Sequence, residues 1–488
     1  MSFTSPEFLI FLAVLLAAYH AAGAARLAGW VQWGLLSVAS LYFYGFKDPR
    51  LLWLLGFSIS FNCVAGWLIA RCVQAGRAVP GWTMGVALSV NLLLIVFFKY
   101  ARLLGSLLLP AGHPMLAHLQ DIPLPIGISF YTFHAVSFLV DLSRAGTRKT
   151  SLRPFCAELA GGNLLSGLGK LSLYINFFPQ LISGPIMKAR AFLPQVGFHH
   201  FSTIAWRQAL RYLILGYFLK TVVADNLHEQ TILITNANYA ILKKFDLLLL
   251  LYGYSCFIFA DFAGYSLMAL GFAALFGYRL PINFNFPYLS ASITEFWRRW
   301  HISLSTWLRD YLYFPLGGNR KGTGRTYLNL FLVMFLGGLW HGAEMRFAWW
   351  GVGHGLLLMI ERLLGAGGEE TSVKYGSVRR TLQIFITFHL VSFLWLCFVM
   401  PDMAHITGFL KALWKNPIGA NPRATYVILI YALPVVLYHV WGYLRPTWRE
   451  KIAACRQDGW LEPLAYGIML YFIITNQGVG GDFVYFNF

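Results

Sequence analysis

Long apolar runs recur along the whole chain and restrict its fold more than any other feature. They cover approximately residues 7–24, 31–45, 51–70, 82–98, 125–142, 171–187, 208–224, 245–277, 327–341, 346–364, 381–400, 425–444 and 460–478. A bilayer-spanning helix needs roughly 20 apolar residues, and stretches of about 10–14 often stop short of spanning. Because the apolar residues are contiguous, a β-barrel is disfavoured. The sequence predicts an all-α polytopic membrane protein with about ten to twelve transmembrane helices, plus re-entrant and interfacial ones.

Composition agrees with a membrane protein. Of the 488 residues, 58% are hydrophobic and 12% charged, whereas an ordinary soluble domain is about 25% charged. The chain has no Pro/Ser-rich linker, no low-complexity tract and no clear repeat, so we expect one transmembrane domain over residues 1–488. A cleaved signal peptide begins with a basic region, but no Lys or Arg precedes the first run here, which carries Glu7 instead. We therefore expect an uncleaved first helix.

The six cysteines are scattered: Cys63, Cys72, Cys156, Cys256, Cys397 and Cys455. None forms a CxxC pair, and most lie in or beside apolar runs. This pattern is typical of structural thiols and predicts neither a zinc site nor a disulfide framework.

The formal net charge of +18 comes mainly from connections between the apolar runs. Basic clusters occur at 144–153, 187–192, 298–300, 317–325 and 445–451. In a membrane protein they indicate cytoplasmic loops that contact anionic lipid, and nucleic acid is not an expected partner. Some of them could instead meet an anionic donor such as a coenzyme thioester, and Arg320 and Lys321 are the candidates for its entrance.

A polar and aromatic segment, residues 288–322, connects two of the runs. In its "SITE" sequence, Ser292 occupies an N-cap position and Glu295 that of its capping-box partner. We expect one helix from Ser292 to about Tyr313, stopped by Pro315.

This predicted helix carries an apolar and a polar seam. The apolar seam holds Trp297, Trp300, Leu304, Leu308 and Tyr311, and the polar one Arg298, Ser305 and Arg309, with His301 between them. Such a helix favours the membrane interface or a protein interior beside a wet cavity. Arg298, Arg299, Arg309 and Asp310 are interpreted as an ion-pair network that holds the helix, with Arg309 a minor candidate for donor or acceptor contact.

The stretch "LGGLWHGAEMRFAWWGVGHG", residues 336–355, places two histidines in an apolar, glycine-rich environment. Ionisable residues inside a membrane are costly and are functional candidates by default. His341 and His354 lack the HxxxH or His-carboxylate spacing of catalytic zinc sites, so no metal is expected. Other histidines in apolar runs, namely His20, His134 and His389, are interpreted as packing residues.

These segments resemble the signature region of the membrane-bound O-acyltransferase family. The similarity lies in "SITEFWRRWHISLSTWLRDYLYFPLGGNRKG", in residues 336–355, in "LPIGISFYTFHAVSFLVDLSR", "FFPQLISGPI" and "YSCFIFADFAGYSLMALGFAALFGYRLPINFNFPY", and in the ending "DFVYFNF". Within the family, these segments are most similar to the bacterial branch of proteins that acetylate alginate and cellulose.

The resemblance implies a helical bundle around a tunnel, in the bacterial inner membrane, that carries an acyl group from a thioester to a hydroxyl. It makes His341 of "WHG" the catalytic residue and His301 a second functional position, with a less settled role for His354. It also implies acetyl-CoA or another acyl thioester as donor, no bound cofactor, and exported esterase-like partners of a polysaccharide acetylation complex.

The chemistry agrees with this assignment. A hydroxyl attacks a thioester poorly unless a base takes its proton, which a buried neutral histidine can do. His301 could orient the acceptor or stabilise the oxyanion. Trp340 and Tyr311 are possible tunnel walls, and Asp261 in "FIFADFAGYS" either fixes helix packing or lines the tunnel.

Alternatives remain open at this point. "GISFY" lacks the final glycine of a serine nucleophile elbow, which favours direct transfer. Teichoic acid D-alanylation or protein or lipid acylation would use the same fold. A transporter would show paired broken helices in two matching halves, and no second half is found.

Overall fold

The computed structural model describes residues 1–110, 112–146, 150–235, 239–365, 377–455, 460–481 and 483. The side chains of residues 120, 423–424 and 445–455 are outside this description. The side chains of the basic cluster predicted at 445–451, the Cys455 thiol and every residue of "DFVYFNF" except Phe483 therefore lie outside this description.

In the described part of the chain, every regular element is helical, as the sequence predicts. The α-helices are α1 Pro6–Ala24, α2 Gly29–Gly45, α3 Leu51–Gln74, α4 Gly81–Ile95, α5 Ala101–Leu108, α6 Pro114–Gln120, α7 Ile128–Ser143, α8 Arg153–Ala160, α9 Leu164–Asn176, α10 Phe178–Leu181, α11 Ala189–Phe192, α12 Trp206–Tyr217, α13 Asp225–Thr231, α14 Lys244–Leu275, α15 Ile293–Arg299, α16 Ile302–Leu308, α17 Thr323–His341, α18 Met345–Leu363, α19 Val378–Leu394, α20 Leu396–Val399, α21 Met403–Lys415, α22 Pro422–Cys455 and α23 Leu461–Thr475. Short 3-10 and π-helical segments join several of them.

Six helical segments among the described residues are long and apolar enough to cross a membrane. They are Pro6–Ala24, Leu51–Gln74, Gly81–Leu108, Lys244–Leu275, Val378–Val399 and Thr425–Leu444. The multi-pass, all-α architecture is thus confirmed, with fewer helices of spanning length than the ten to twelve expected. One reason is local interruption: the apolar run 171–187 leaves helical geometry at Phe177, ahead of Pro179.

The chain divides into two compact units. The first contains Met1–Leu213 and Met268–Pro281, and the second contains Ile214–Leu267 and Ile282–Phe488. The sequence predicts one transmembrane domain over residues 1–488, which would have to include both units. This stays a prediction.

In the first unit, α3 packs against α7, α8 and α9. A reciprocal amide pair joins α3 to α4, since the side chains of Asn62 and Asn91 exchange hydrogen bonds of 3.0 and 2.9 Å. Each amide also donates to a carbonyl one turn earlier in its own helix. Polar pairs of this kind hold helices together where apolar side chains have no preference for protein over lipid.

In the second unit, α17 and α18 form a closely packed antiparallel hairpin. At the crossing, a Cβ on Gly351 would lie 2.5 Å from the Met334 carbonyl oxygen, and one on Gly338 would collide with the Phe347 carbonyl. Only glycine fits there, because the obstructing atoms are backbone and cannot rotate away.

Gly351→Ala should lower the melting temperature in detergent. The added methyl group forces the hairpin apart, and overpacking typically costs ~1–3 kcal/mol. Gly324→Ala is the matched control, because a Cβ on Gly324 meets nothing within 4 Å. Equal melting temperatures for both variants would contradict the close crossing.

The structure corrects the single helix predicted over residues 292–313. The segment forms α15 and α16, which are separated at Trp300 and His301, and then a π-helical turn over Arg309–Tyr313. His301 has φ 42° and ψ 53°, a left-handed conformation that no residue inside an α-helix adopts. The single continuous helix of the prediction, with its apolar and polar seams, is therefore replaced by two short helices with a bend between them.

Candidate active site

His341 is the last residue of α17, and its side chain is 3% exposed. Its ring lies 5.0 Å from that of Trp340 and 5.1 Å from those of Trp350 and Phe398. Gly342 follows with extended geometry, and a Cβ there would collide with the Phe347 ring. The turn after the helix thus fixes His341 within an aromatic enclosure.

His354 lies on α18 and is completely buried. Its ring centroid is 4.7 Å from that of Trp350 and 5.0 Å from that of Trp297, and Phe296 stacks on it at 6.0 Å. Neither of its ring nitrogens has a hydrogen-bond partner among the residues that the structure describes. A buried imidazole in this state is a functional candidate, because buried polar groups in proteins are almost always hydrogen-bonded.

His301 lies at the bend between α15 and α16 and is 1% exposed. Its ring packs edge-on against Phe262 at 4.7 Å and lies 6.0 Å from Trp340. Burial lowers the pKa of His301 below its ordinary value, because the charged imidazolium loses its hydration. The ring is therefore neutral near pH 7. A strained backbone at a buried polar residue is typical of functional sites.

The structure brings the three predicted histidines into one aromatic array. Trp340 contacts both His301 and His341, and Trp350 contacts both His341 and His354. Three separate elements supply these rings: the bend after α15, the end of α17 and the middle of α18. No spacing in the sequence could have indicated this proximity.

The polar groups at the start of α15 hold the bend in place. The Ser292 hydroxyl accepts a hydrogen bond from the Glu295 backbone N–H at 3.0 Å, as the capping-box pattern predicts. The Glu295 carboxylate accepts from the N–H of Ala291, one residue before the expected partner, at 2.8 Å. It also pairs with Arg299 at 2.6 Å and with Arg380 at 2.9 Å.

Glu361 of α18 completes this arrangement. Its carboxylate accepts hydrogen bonds from the backbone N–H groups of Ile293 at 2.7 Å and Thr294 at 3.2 Å. A carboxylate at a helix N-terminus satisfies otherwise unpaired N–H groups and interacts favourably with the positive end of the helix dipole. Glu361 thereby ties the helix that leads to His301 to the helix that carries His354.

The remaining predicted residues lie apart from the histidine array or at its margin. Tyr311 packs on Trp307 at 5.3 Å. Arg309 pairs with the neighbouring Asp310 at 2.9 Å and is 54% exposed. Asp261 is buried and pairs with Lys220 at 2.9 Å, an arrangement that fits its structural interpretation.

Arg320 and Lys321 are exposed in the connection that precedes α17. This location is compatible with a role at an entrance, and their contact with a donor stays a prediction.

Sequence reasoning missed several residues. Trp350 and Phe398 were not distinguished from other aromatic residues, although both contact His341. Glu361 and Lys220 are charged residues inside the apolar runs 346–364 and 208–224, the kind of signal that identified Asp261. Among the described residues, no three His, Cys, Asp or Glu side chains are placed to hold a metal ion.

Comparison with known proteins gives consistent results. The family model described as "MBOAT, membrane-bound O-acyltransferase family" matches residues 121–405, which include all three histidines. A probable alginate O-acetylase AlgI of Pseudomonas aeruginosa is 36% identical over 406 residues, which cover 82% of this chain and 72% of that protein.

Two further relatives carry other names. A peptidoglycan O-acetyltransferase of Helicobacter pylori is 34% identical over 400 residues, 78% of this chain and 73% of its own. A teichoic acid D-alanyltransferase of Bacillus subtilis is 30% identical over 313 residues, 57% of this chain and 71% of its own.

Proposed function

Since the chain belongs to the membrane-bound O-acyltransferase family and is an O-acyltransferase, we propose that it moves acetyl groups from a cytoplasmic thioester, acetyl-CoA, for the O-acetylation of an exported polysaccharide such as alginate or cellulose. The similarity to alginate and peptidoglycan O-acetyltransferases supports a polysaccharide as the final acceptor. The bacterial inner membrane is the proposed location, because the donor is cytoplasmic and the polymer is exported.

The observation that carries the proposal is the buried array of His301, His341 and His354 around Trp340 and Trp350. A buried array of imidazoles in an aromatic enclosure suits a reaction that must exclude water, because water would hydrolyse the thioester.

In the proposed reaction, the acceptor hydroxyl attacks the carbonyl carbon of the thioester while His341 accepts its proton. The C–S bond of the tetrahedral intermediate then breaks, and the thiolate leaves with the proton that His341 returns. His301 is neutral and can hydrogen-bond the acceptor or the developing oxyanion. The ester product and the free thiol balance the reaction without a bound cofactor.

The acceptor at this site need not be a sugar. The protein is proposed to work with exported esterase-like partners, so the hydroxyl acetylated at this site can belong to such a partner or to a carrier rather than to a sugar. A tunnel from the cytoplasmic side to His341 would let one site serve both faces of the membrane. D-alanyl transfer is the second candidate, favoured by the teichoic acid relative but at lower identity and coverage.

Reconstituted protein in liposomes tests this function. We expect acetyl transfer from labelled acetyl-CoA to co-reconstituted partner and polymer, and little transfer from a D-alanyl carrier-protein thioester. Preference for the D-alanyl donor would select the second candidate. Accumulation of polymer in the vesicles without acyl transfer would indicate transport and contradict the proposal.

Charge reversal at Arg320 and Lys321 to glutamate should raise KM for acetyl-CoA and make it less sensitive to salt, with kcat nearly unchanged. The reason is that surface charge steers an anionic donor over about a Debye length, ~8 Å at physiological salt, without affecting the chemical step. Initial rates across a salt series measure both constants.

Reversal of Lys411 and Lys415, exposed on α21, is the matched control and should change neither constant. A collapsed kcat with unchanged KM in the Arg320 and Lys321 variant would place these residues in the structural or catalytic core instead.

A further inference from the structure

An irregular segment, called the segment 476–483 below, follows α23. Its described residues, 476–481 and Phe483, are held mainly by contacts with other elements. The N–H of Gly478 donates to the Thr221 carbonyl at 3.0 Å, and that of Val479 donates to the Glu229 carboxylate at 2.6 Å. Asn226 donates to the Asn476 carbonyl at 3.2 Å. Because the described residues after Thr475 are not helical, these contacts determine where they lie.

A buried charge cluster supplies a further attachment. The Lys220 ammonium donates to the Asp225 carboxylate at 2.7 Å and to the Gly481 carbonyl at 3.2 Å, and it forms an ion pair with the Asp261 carboxylate at 2.9 Å. The side chains of the three charged residues are 6%, 4% and 1% exposed. Separating one member of such a buried cluster from the others leaves an uncompensated buried charge, which is costly. The three charged side chains are therefore held together.

Gly264 lets α14 approach the backbone at Lys220 closely enough for this cluster to form, because a Cβ at this position would lie 2.8 Å from the Lys220 backbone nitrogen. Asp261 is one turn away from Gly264 on the same helix. Lys220 therefore connects three parts of the second unit: the π-helical segment Phe218–Ala224, α14 and the segment 476–483.

Phe483 of this segment is connected to His301 through one intervening ring, that of Phe262. Phe483 is 2% exposed, stacks on Tyr265 at 4.3 Å and contacts Phe262 at 5.9 Å. Phe262 in turn packs its ring against His301 at 4.7 Å. Phe262 directly follows Asp261 in α14, so the charge cluster and the aromatic contact are fixed by neighbouring residues of one rigid helix.

We propose that Lys220, with Asp225 and Asp261, is an anchor that fixes the segment 476–483, and that the anchored Phe483 positions His301 through Phe262. Lys220 and Phe483 are positioning residues in this assignment and do not touch the reacting atoms. The effect on turnover rests on the proposed acetyl transfer, whereas the anchoring itself does not.

Hydrogen–deuterium exchange in detergent tests the anchor independently of activity. In Lys220→Met, exchange in the peptide covering residues 476–481 should rise by about tenfold or more, because local opening exposes its N–H groups. Lys411→Met, which removes an exposed lysine, should leave this exchange unchanged. Unchanged exchange in a folded Lys220→Met protein would overturn the anchor.

Kinetics test the positioning. Phe483→Ala should lower kcat for acetyl transfer by about tenfold with KM within about twofold, and Phe483→Leu should recover most of the loss because it refills the space beside Phe262. Full turnover in Phe483→Ala would overturn the positioning role. This test does not depend on Lys220→Met, so it decides the positioning even if Lys220→Met fails to fold. A wild-type protein without acetyl transfer would refute the proposed function, while the exchange measurement would still decide the anchor.

Discussion

Replacing His341 with alanine should give a folded, membrane-inserted protein whose acetyl transfer is lower by about 10²- to 10⁴-fold, the usual contribution of a general base. His341 is 3% exposed and enclosed by Trp340, Trp350 and Phe398. Water cannot readily replace its imidazole there, so the alcohol would lose its proton acceptor. Acetylation of the polymer, measured at matched expression levels, gives the result.

His389→Ala is the control for losing a histidine without losing the base. His389 lies on α19, and its Nδ1 bonds to the Phe385 carbonyl at 2.7 Å within the same helix, so its removal should leave acetylation near the wild-type level. If normally expressed His341→Ala acetylates polymer like the wild type, His341 is not the proton acceptor. His354, which is completely buried in the same histidine array, would then be the next candidate for the proton acceptor.

The helical architecture could be predicted because its signals are local. A long apolar run enters the bilayer, where its backbone groups must hydrogen-bond within the run and so form a helix, and the Ser292 cap depends only on the residues next to it in sequence. Both are present in the structure. The number of spanning helices was less predictable, since an apolar run does not reveal where backbone geometry interrupts it, as at Phe177.

The bend at His301 could not be predicted, because tertiary contacts produce it. Past the bend, the Ile302 N–H donates to the Asn283 carbonyl at 3.0 Å, and the Ser303 N–H donates to the Asn283 side chain at 3.3 Å. These bonds replace those of a continuous helix and satisfy the N–H groups that the break leaves open. The local sequence carries a helical pattern throughout, so propensity alone gives one helix.

The candidate site was only partly accessible from the sequence for a similar reason. His341 and His354 could be singled out as polar residues in apolar surroundings, but their link through Trp350 depends on the hairpin crossing at Gly338 and Gly351. Lys220 and Glu361 are also charged residues inside apolar runs. Their importance emerges only from what they contact, the irregular segment after α23 in one case and a helix start in the other.

Trp300→Ala should lower the thermal stability in detergent substantially, because removing a large buried aromatic side chain typically costs ~3–5 kcal/mol. Trp300 is 1% exposed and stacks on Phe296 at 5.6 Å, with Phe284 and Trp395 each at 5.0 Å. It also immediately precedes His301, so its loss removes the packing that fixes the bend. A thermal melt in detergent measures the effect.

The matched control for this variant is Trp414→Ala. Trp414 lies on α21 of the same unit and is 83% exposed, so its truncation creates no cavity and should leave the melting temperature nearly unchanged. Equal melting temperatures for wild type and Trp300→Ala would mean that Trp300 faces lipid or solvent. A large loss for Trp300→Ala alone would instead show that aromatic packing at Trp300 stabilises the protein next to the bend at His301. The left-handed backbone of His301 is costly by itself, so this packing has to act together with the hydrogen bonds to Asn283 that follow the bend.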